Sequence, residues 1–325
     1  MTDSMFWKLG QVWNQSWFIP KPAYTPKDIP DLTGKVMIVT GGNTGIGKET
    51  IKALLPKNAK VYMASRSRSK AEAAIEELEK ETGKKAIFLE LDLADLASVK
   101  RAAEAFQSQE KELHVLFNNG GVMIPDMKEL TKQGYDLQFG TNVLGHHYFT
   151  TLLLPTLLST VKSSPPGTVR VITTSSSGSF LYPNADIVYE TLKPGKARDK
   201  MGDQTLYLQS KLGNTLVSRE FARRYSSEGI ASIALNPGNI SSDLQRTTPL
   251  PLLLFLRAFM LYPTPMGALT QLYAGTAPDA AEHNGKFLIP WGRVGNHSKA
   301  SNSPENALRL WEWLEAQVKS FEESS

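Results

Sequence analysis

The run Val36-Met-Ile-Val-Thr40 is short, apolar and rich in β-branched residues, and it leads directly into Gly41-Gly-Asn-Thr-Gly-Ile-Gly47. Such a run reads as a buried strand, and the glycines after it read as a tight turn into a helix. A strand, a glycine turn and a helix in succession turn backbone N–H groups and a helix N-terminus toward an anion. Gly41 permits the tight turn. Gly45 and Gly47 remove Cβ atoms that would hold phosphate oxygens away. Thr44 and Ile46 lie in the same turn and join them as candidate cofactor contacts. The motif therefore points to a dinucleotide pyrophosphate as the ligand.

The rest of the chain repeats the alternation that this unit begins. Strands are predicted at 36–40, 60–64, 86–90, 113–117, 168–173 and 230–235. Helices are predicted at 45–55, 68–81, 95–109, 132–160 with a kink at Pro155, 204–227, and from the cap Ser303-Pro304-Glu305 to the C-terminal end. Short connections between strands and helices imply a doubly wound, mostly parallel α/β sheet with helices on both faces. Ligands in such sheets bind beyond the carboxyl ends of the strands.

Three stretches lie outside this pattern. Residues 1–33 form an aromatic and proline-rich extension to a single domain over 34–325. Phe6, Leu9, Trp13 and Trp17 follow helical spacing, so 4–20 either folds back onto the domain, meets a partner, or lies in a membrane interface. Residues 180–202 read as a polar loop. The stretch 247–265 is almost wholly apolar and fenced by prolines. It reads as part of a substrate lid over 241–265, with a buried helix or a second membrane contact as the other readings.

Composition narrows the chemistry. The 325 residues are 41% hydrophobic, enough for a large core. They include no cysteine, which excludes disulfides, iron–sulfur clusters and cysteine-held zinc. The five histidines show no ligand spacing, so no metal is expected. A net charge of +4 suits an anionic cofactor, and there is no basic stripe of the kind that grips nucleic acid. With no secretory leader in view, the expected location is cytoplasmic, with or without peripheral membrane association.

Far downstream, Tyr207 and Lys211 stand four apart in Tyr-Leu-Gln-Ser-Lys, on one face of a helix. A phenol with a pKa near ~10 exchanges protons slowly at neutral pH, and a neighbouring cation favours its ionised form. After the second strand come Ala64, Ser65 and Arg66. An NAD enzyme would place a carboxylate there for the ribose 2′-hydroxyl. Arg66 can instead pair with a 2′-phosphate, with Ser65 beside it, so NADP(H) is the expected cofactor. Lys48 and Arg68 are the next cations to consider. Asn142 is a poor residue for the middle of a helix, which suggests a task for it. His146 and His147, a turn later, read as packing or pocket residues.

These motifs, taken in order, resemble the short-chain dehydrogenase/reductase family. They are Thr40-Gly-x-x-x-Gly-Ile-Gly47, Asn118-Asn-Gly-Gly121, Asn142, the serines at 175–177, Tyr207-x-x-x-Lys211 and Asn236-Pro-Gly238. The likeness covers roughly 34–245, and its spacing is similar to the retinol-dehydrogenase-like branch and to fungal reductases. The family usually has alanine where Gly120 stands. The resemblance implies a Rossmann fold and assigns catalytic roles to four residues. Tyr207 is the general acid in reduction and base in oxidation. Lys211 also holds the nicotinamide ribose. Ser176 polarises the substrate carbonyl, with Ser175 and Ser177 as the alternatives. Asn142 holds a water linked to Lys211. The resemblance also implies cofactor contacts from Asp92 to adenine, from Asn118 on the adenosine side, and from Pro237, Gly238, Ile240 and Ser242. Family members are often dimers or tetramers, so a homodimer is expected.

The expected activity is NADP(H)-dependent interconversion of a carbonyl and an alcohol on a lipophilic small molecule. Reduction of a conjugated double bond and a non-catalytic NADP-binding regulator are the alternatives.

Overall fold

The computed structural model describes residues 3–241 and 261–324. Ser242 and most of the apolar stretch expected to form a lid lie outside the described residues. Among those described, eight strands form one sheet in the order β3-β2-β1-β4-β5-β6-β7-β8. They are β1 Val36–Thr40, β2 Lys60–Ser65, β3 Ile87–Glu90, β4 Val115–Asn118, β5 Arg170–Thr174, β6 Ala231–Leu235, β7 Phe287–Ile289 and β8 Arg293–Val294. Strands β1 to β7 run parallel, and β8 returns antiparallel on the edge.

The helices are α1 Met5–Ser16, α2 Gly45–Leu54, α3 Arg68–Thr82, α4 Leu96–Gln109, α5 Gly145–Ser163, α6 Lys196–Tyr225, α7 Thr264–Thr276 and α8 Pro304–Ser324. They cover both faces of the sheet. Strand β1 shows why this is required. All five of its residues are buried. Val36 and Ile38 face the core shared with α4, α5, α6 and α8, while Met37 and Val39 face the core shared with α2, α3 and α7. A strand with no polar face is stable only between two layers.

Several boundaries differ from the sequence reading. The helix expected at 132–160 begins at Leu137 with one α-turn, passes through a π-turn at Gly140–Leu144, and only then becomes α5. Its start is fixed by Asp136, whose side chain accepts from Phe139 N. The stretch read as a loop over 180–202 holds 3₁₀ turns at Ser177–Leu181 and Tyr189–Thr191, and α6 begins within it at Lys196. Gly202, at φ 75°, interrupts that helix, which is why the sequence pattern starts only beyond it.

The chain visits β1, β2 and β3 in one direction, then crosses back to place β4 on the other side of β1. That reversal opens a crevice at the carboxyl ends of β1 and β4. Arg170, at the start of β5, braces the floor of this architecture. Its buried guanidinium donates to the carbonyls of Gly167, Ala274 and Ala277 at 2.7, 2.9 and 2.8 Å, which closes the C-terminal end of α7. Burial pulls the pKa of Arg170 down to about 10. Arg170→Met is expected to destabilise the protein by about 2–4 kcal/mol, because the freed carbonyls stay buried. Urea unfolding measures this, and a loss under about 0.5 kcal/mol would show that α7 is held by its apolar contacts alone.

Candidate active site

The crevice is a cleft of about 490 Å³. Its wall is built from the loops at the carboxyl ends of the first six strands: Gly41 and Asn43 to Ile46 after β1, Arg66 and Ser67 after β2, Asp92 after β3, Asn119 to Met123 after β4, Ser175 and Ser176 after β5, and Asn236 to Ile240 after β6.

At the phosphate end, Gly41 has φ +64° and Gly45 has φ +54°. A Cβ on Gly47 would lie 2.4 Å from the Gly41 carbonyl oxygen, so Gly47 serves the packing of α2 against its own turn and does not line the cleft. The N-cap residue Thr44 makes no side-chain capping bond, and α2 has no acid in its first turn. Its N-terminal N–H groups are therefore not spent on a cap and suit an anion. Ser65 Oγ is buried with no hydrogen-bond partner, directly beside Arg66 on the cleft wall.

The other cations sort themselves by geometry. Lys48 pairs with Glu77 at 2.6 Å. Arg68 lies between Glu72 and Glu90 and over the Phe88 ring. Neither lines the cleft. Lys70 does, in the first turn of α3, on the same wall as Arg66 and Ser67. Sequence reasoning missed it, because a lysine in an Ala/Glu/Lys-rich helix looks like solvated surface. The orphaned Ser65 hydroxyl, the open helix terminus and this cation pair together fit a phosphorylated dinucleotide.

The central loop is held from behind. Thr40 Oγ1 accepts from Asn119 N at 3.0 Å and from Gly120 N at 2.8 Å. Asn119 Nδ2 donates to the Thr40 carbonyl at 2.8 Å. Asn118, expected on the adenosine side, turns away from the cleft. It donates to Thr150 Oγ1 and lines a separate internal cavity of about 20 Å³. As the last residue of β4, its alternation sends the side chain inward, and Asn119 takes the place facing the cleft.

At the far end, Tyr207 and Lys211 project from α6 and Ser176 from the loop after β5. Burial pushes the Tyr207 phenol up to about 12, while a hydrogen bond with Ser176 pulls it the other way. Burial pulls Lys211 down to about 8. Its Nζ donates to the Thr174 carbonyl at 3.1 Å and sits 5.7 Å from the centre of the Tyr207 ring. The three serines separate cleanly. Ser175 donates to the Lys211 carbonyl and is buried. Ser177 does not line the cleft. Ser176 meets Tyr207.

Asn142 sits in the π-turn, a feature common at functional sites. Its side chain accepts from Val122 N and donates to Val122 O and Ser210 Oγ, so it clamps the loop after β4. A Cβ on Gly121 would come within 2.9 Å of Asn142 Oδ1, and this is the close approach that requires glycine there. His146 Nδ1 lies 3.0 Å from the Asn142 carbonyl and Nε2 lies 2.8 Å from Thr40 Oγ1. Burial, with Lys211 nearby, pulls its pKa to about 4, so the ring is neutral and structural. His147 is likewise buried, paired with Glu315 on α8 at 2.6 Å.

Lys211 carries a testable penalty. Its folded pKa of about 8 lies below the ordinary 10.5. The unfolded chain thus holds this proton more tightly, and the penalty is full below about pH 8 and lifts as pH rises toward 10.5. Lys211→Met is therefore expected to stabilise the protein at pH 7 by about 1–3 kcal/mol, a gain that shrinks by pH 10. Thr174 O keeps a partner in Asn214 Nδ2, so no carbonyl is orphaned. Urea unfolding at both pH values decides it, and a loss at pH 7 would refute the buried-cation reading.

Comparison with known proteins agrees with this geometry. The family model described as short chain dehydrogenase matches residues 35–198. A short-chain dehydrogenase/reductase of Armillaria gallica is 53% identical, over 96% of this chain and 100% of its own. A putative uncharacterised protein of Mycobacterium paratuberculosis superposes with a TM-score of 0.68 at 29% identity, covering 90% of this chain and 97% of the other. A Pseudomonas aeruginosa structure, the RhlG/NADP active-site complex, gives 0.64 at 22% identity over 80% and 95%. With a relative this close along nearly its whole length, the chain belongs to the short-chain dehydrogenase/reductase family of oxidoreductases.

Proposed function

We propose that this protein is an NADP(H)-dependent oxidoreductase that interconverts a carbonyl and an alcohol on a lipophilic small molecule. The observation that carries the reading is one cleft with two chemically distinct ends. Arg66, Lys70 and the orphaned Ser65 hydroxyl mark one end, and Tyr207 with Ser176 and Lys211 marks the other. NADP(H), when bound, exchanges the hydride. The NADP named in the Pseudomonas structure's title is consistent with this choice.

The protein's own residues do the remaining work. Tyr207, with its phenol pushed up to about 12, holds its proton at neutral pH and can give it to a developing alkoxide. Ser176 offers a hydroxyl to the same oxygen. Lys211, with Nζ 5.7 Å from the centre of the ring, favours the ionised form of the phenol once the proton has left. A protonated phenol favours reduction, whereas oxidation must first remove that proton.

Val122, Met123, Leu137 and Leu261 line the same cleft as Ser176 and Tyr207, and these apolar residues support a lipophilic substrate. Among the described residues no helix is long and apolar enough to cross a membrane. A peripheral contact is supported by α1, which leaves Met5, Phe6, Leu9 and Trp13 exposed on one side, with Phe18 just beyond.

Tyr207→Phe keeps the ring and loses only the proton, so turnover with aldehyde and ketone panels should fall ~10²–10⁴-fold while NADPH affinity stays within about twofold. Residual turnover within about threefold of the unaltered protein would remove Tyr207 from the chemistry. For the cofactor, NADPH should be preferred over NADH roughly ten- to hundredfold. Arg66→Ala and Lys70→Ala should each erode that preference by weakening NADPH, leaving NADH little changed. Equal weakening of both cofactors would place the 2′-phosphate elsewhere.

A further inference from the structure

The matched family core begins at residue 35, yet the cleft is not built from that core alone. Asn236 follows β6 and opens the turn Pro237–Ile240 that lines the cleft. It is 1% exposed, and its carboxamide has two partners. Oδ1 accepts from Gly238 N at 3.1 Å and closes the turn. Nδ2 donates to Gln15 Oε1, near the end of α1, at 2.9 Å. Gln15 is itself 1% exposed, and its own Nε2 has no partner.

A carboxamide can sit in either of two orientations related by a half-turn, and its partners decide which. Here the acceptor at Gln15 selects the orientation that points Oδ1 at Gly238. With that acceptor gone, one orientation leaves Nδ2 buried and unpaired. The other sets an amide donor against the Gly238 N–H and opens the turn. A buried unpaired donor is costly enough to populate the second state.

The rest of the extension supports the same turn. Ile19 packs with the cluster of Ile240, Leu269 and Trp291. Arg293 ties α1 to the body through the Asn14 carbonyl at 3.0 Å and also donates to the Pro290 carbonyl. Trp7 rests on Phe180, five residues from Ser175 along the loop that carries Ser176. Alpha-helix α1 therefore spans two cleft loops.

We propose that Gln15 is a positioning residue: through the Asn236 carboxamide it sets the Pro237–Ile240 turn in its cofactor-binding form, so the N-terminal extension is a working part of the site. This rests on the cofactor reading given above. The test compares two substitutions that each remove one glutamine contact between α1 and the body. Gln15→Met removes the Asn236 partner. Gln11→Met removes the other, exposed bond, in which Gln11 Oε1 accepts from Asn296 Nδ2 at 3.2 Å, away from the turn.

Amide hydrogen exchange on the cofactor-free protein reads the turn directly. Gln15→Met should speed exchange at Gly238 about tenfold, and Gln11→Met should not. NADPH titration by fluorescence should then give a Kd about three- to tenfold weaker for Gln15→Met alone. The substrate KM and kcat at saturating NADPH should hold within about twofold, a split that general destabilisation would not produce. Gln15→Asn, one methylene too short to reach Asn236, should behave like Gln15→Met and carries the test if the methionine variant does not fold.

Unchanged Gly238 exchange in Gln15→Met, or equal effects of the two substitutions, would overturn the inference. If the unaltered protein bound neither NADPH nor NADH, the cofactor reading would fall, while the exchange result would still decide whether Gln15 sets the turn.

Discussion

The hydroxyl of Thr40 is the contact on which the site depends. It sits where β1 ends, at the point where the sheet changes direction, and it accepts from Asn119 N and Gly120 N of the loop after β4. The same hydroxyl lies 2.8 Å from His146 Nε2 and 3.2 Å from the Phe117 carbonyl, two acceptors for its proton, and His146 Nδ1 reaches the Asn142 carbonyl in the π-turn. One side chain thus joins the glycine turn, the central cleft loop and the helix that clamps Val122. A valine there would fill similar space and leave two buried N–H groups without acceptors. Neutrality of His146 matters to the same arrangement, because a charged ring would present a second donor to the Thr40 hydroxyl.

The Tyr207–Lys211 end of the cleft is built against stability. Burial keeps Tyr207 neutral and makes the charge on Lys211 costly, and the hydrogen-bond partner of Lys211 is a single carbonyl, already shared with Asn214. Structural cations elsewhere in this protein are treated differently. Buried Arg198 meets Asp136 at 3.0 Å and the Met127 carbonyl. Arg170 has three carbonyls. The contrast separates a cation kept to hold the fold from one kept poised for another partner.

Much of this was legible in the sequence because it follows from local rules. The glycine turn, the alternation and the Tyr207–Lys211 spacing depend on neighbours along the chain. What was hidden depends on neighbours in space. Lys70 reads as surface until the fold opens the cleft beside the first turn of α3 and makes it part of the wall with Arg66. Asn118 and Asn119 are chemically alike, and only the pleat of β4 decides which one faces the cleft. Strands β7 and β8 are three and two residues long, too short for a period to register. Thr40 reads as the last residue of an apolar strand, with nothing to mark its hydroxyl as an acceptor for a loop nearly 80 residues away.

The N-terminal helix shows the limit most clearly. Its apolar stripe of Phe6, Leu9 and Trp13 is the pattern that ordinarily marks a buried face, yet these residues are exposed. The helix docks through Trp7, Val12 and two polar residues, Gln15 and Ser16, which are the ones it buries. Hydrophobic periodicity fails here because a buried polar pair, Gln15 with Asn236, shares the docked face with Trp7 and Val12. With that face docked, the stripe is turned outward. An amphipathic helix pinned this way leaves its aromatic side free while its polar end shapes the cleft. The same rotation that brings Gln15 to Asn236 at the cleft therefore determines which surface the protein offers to its surroundings.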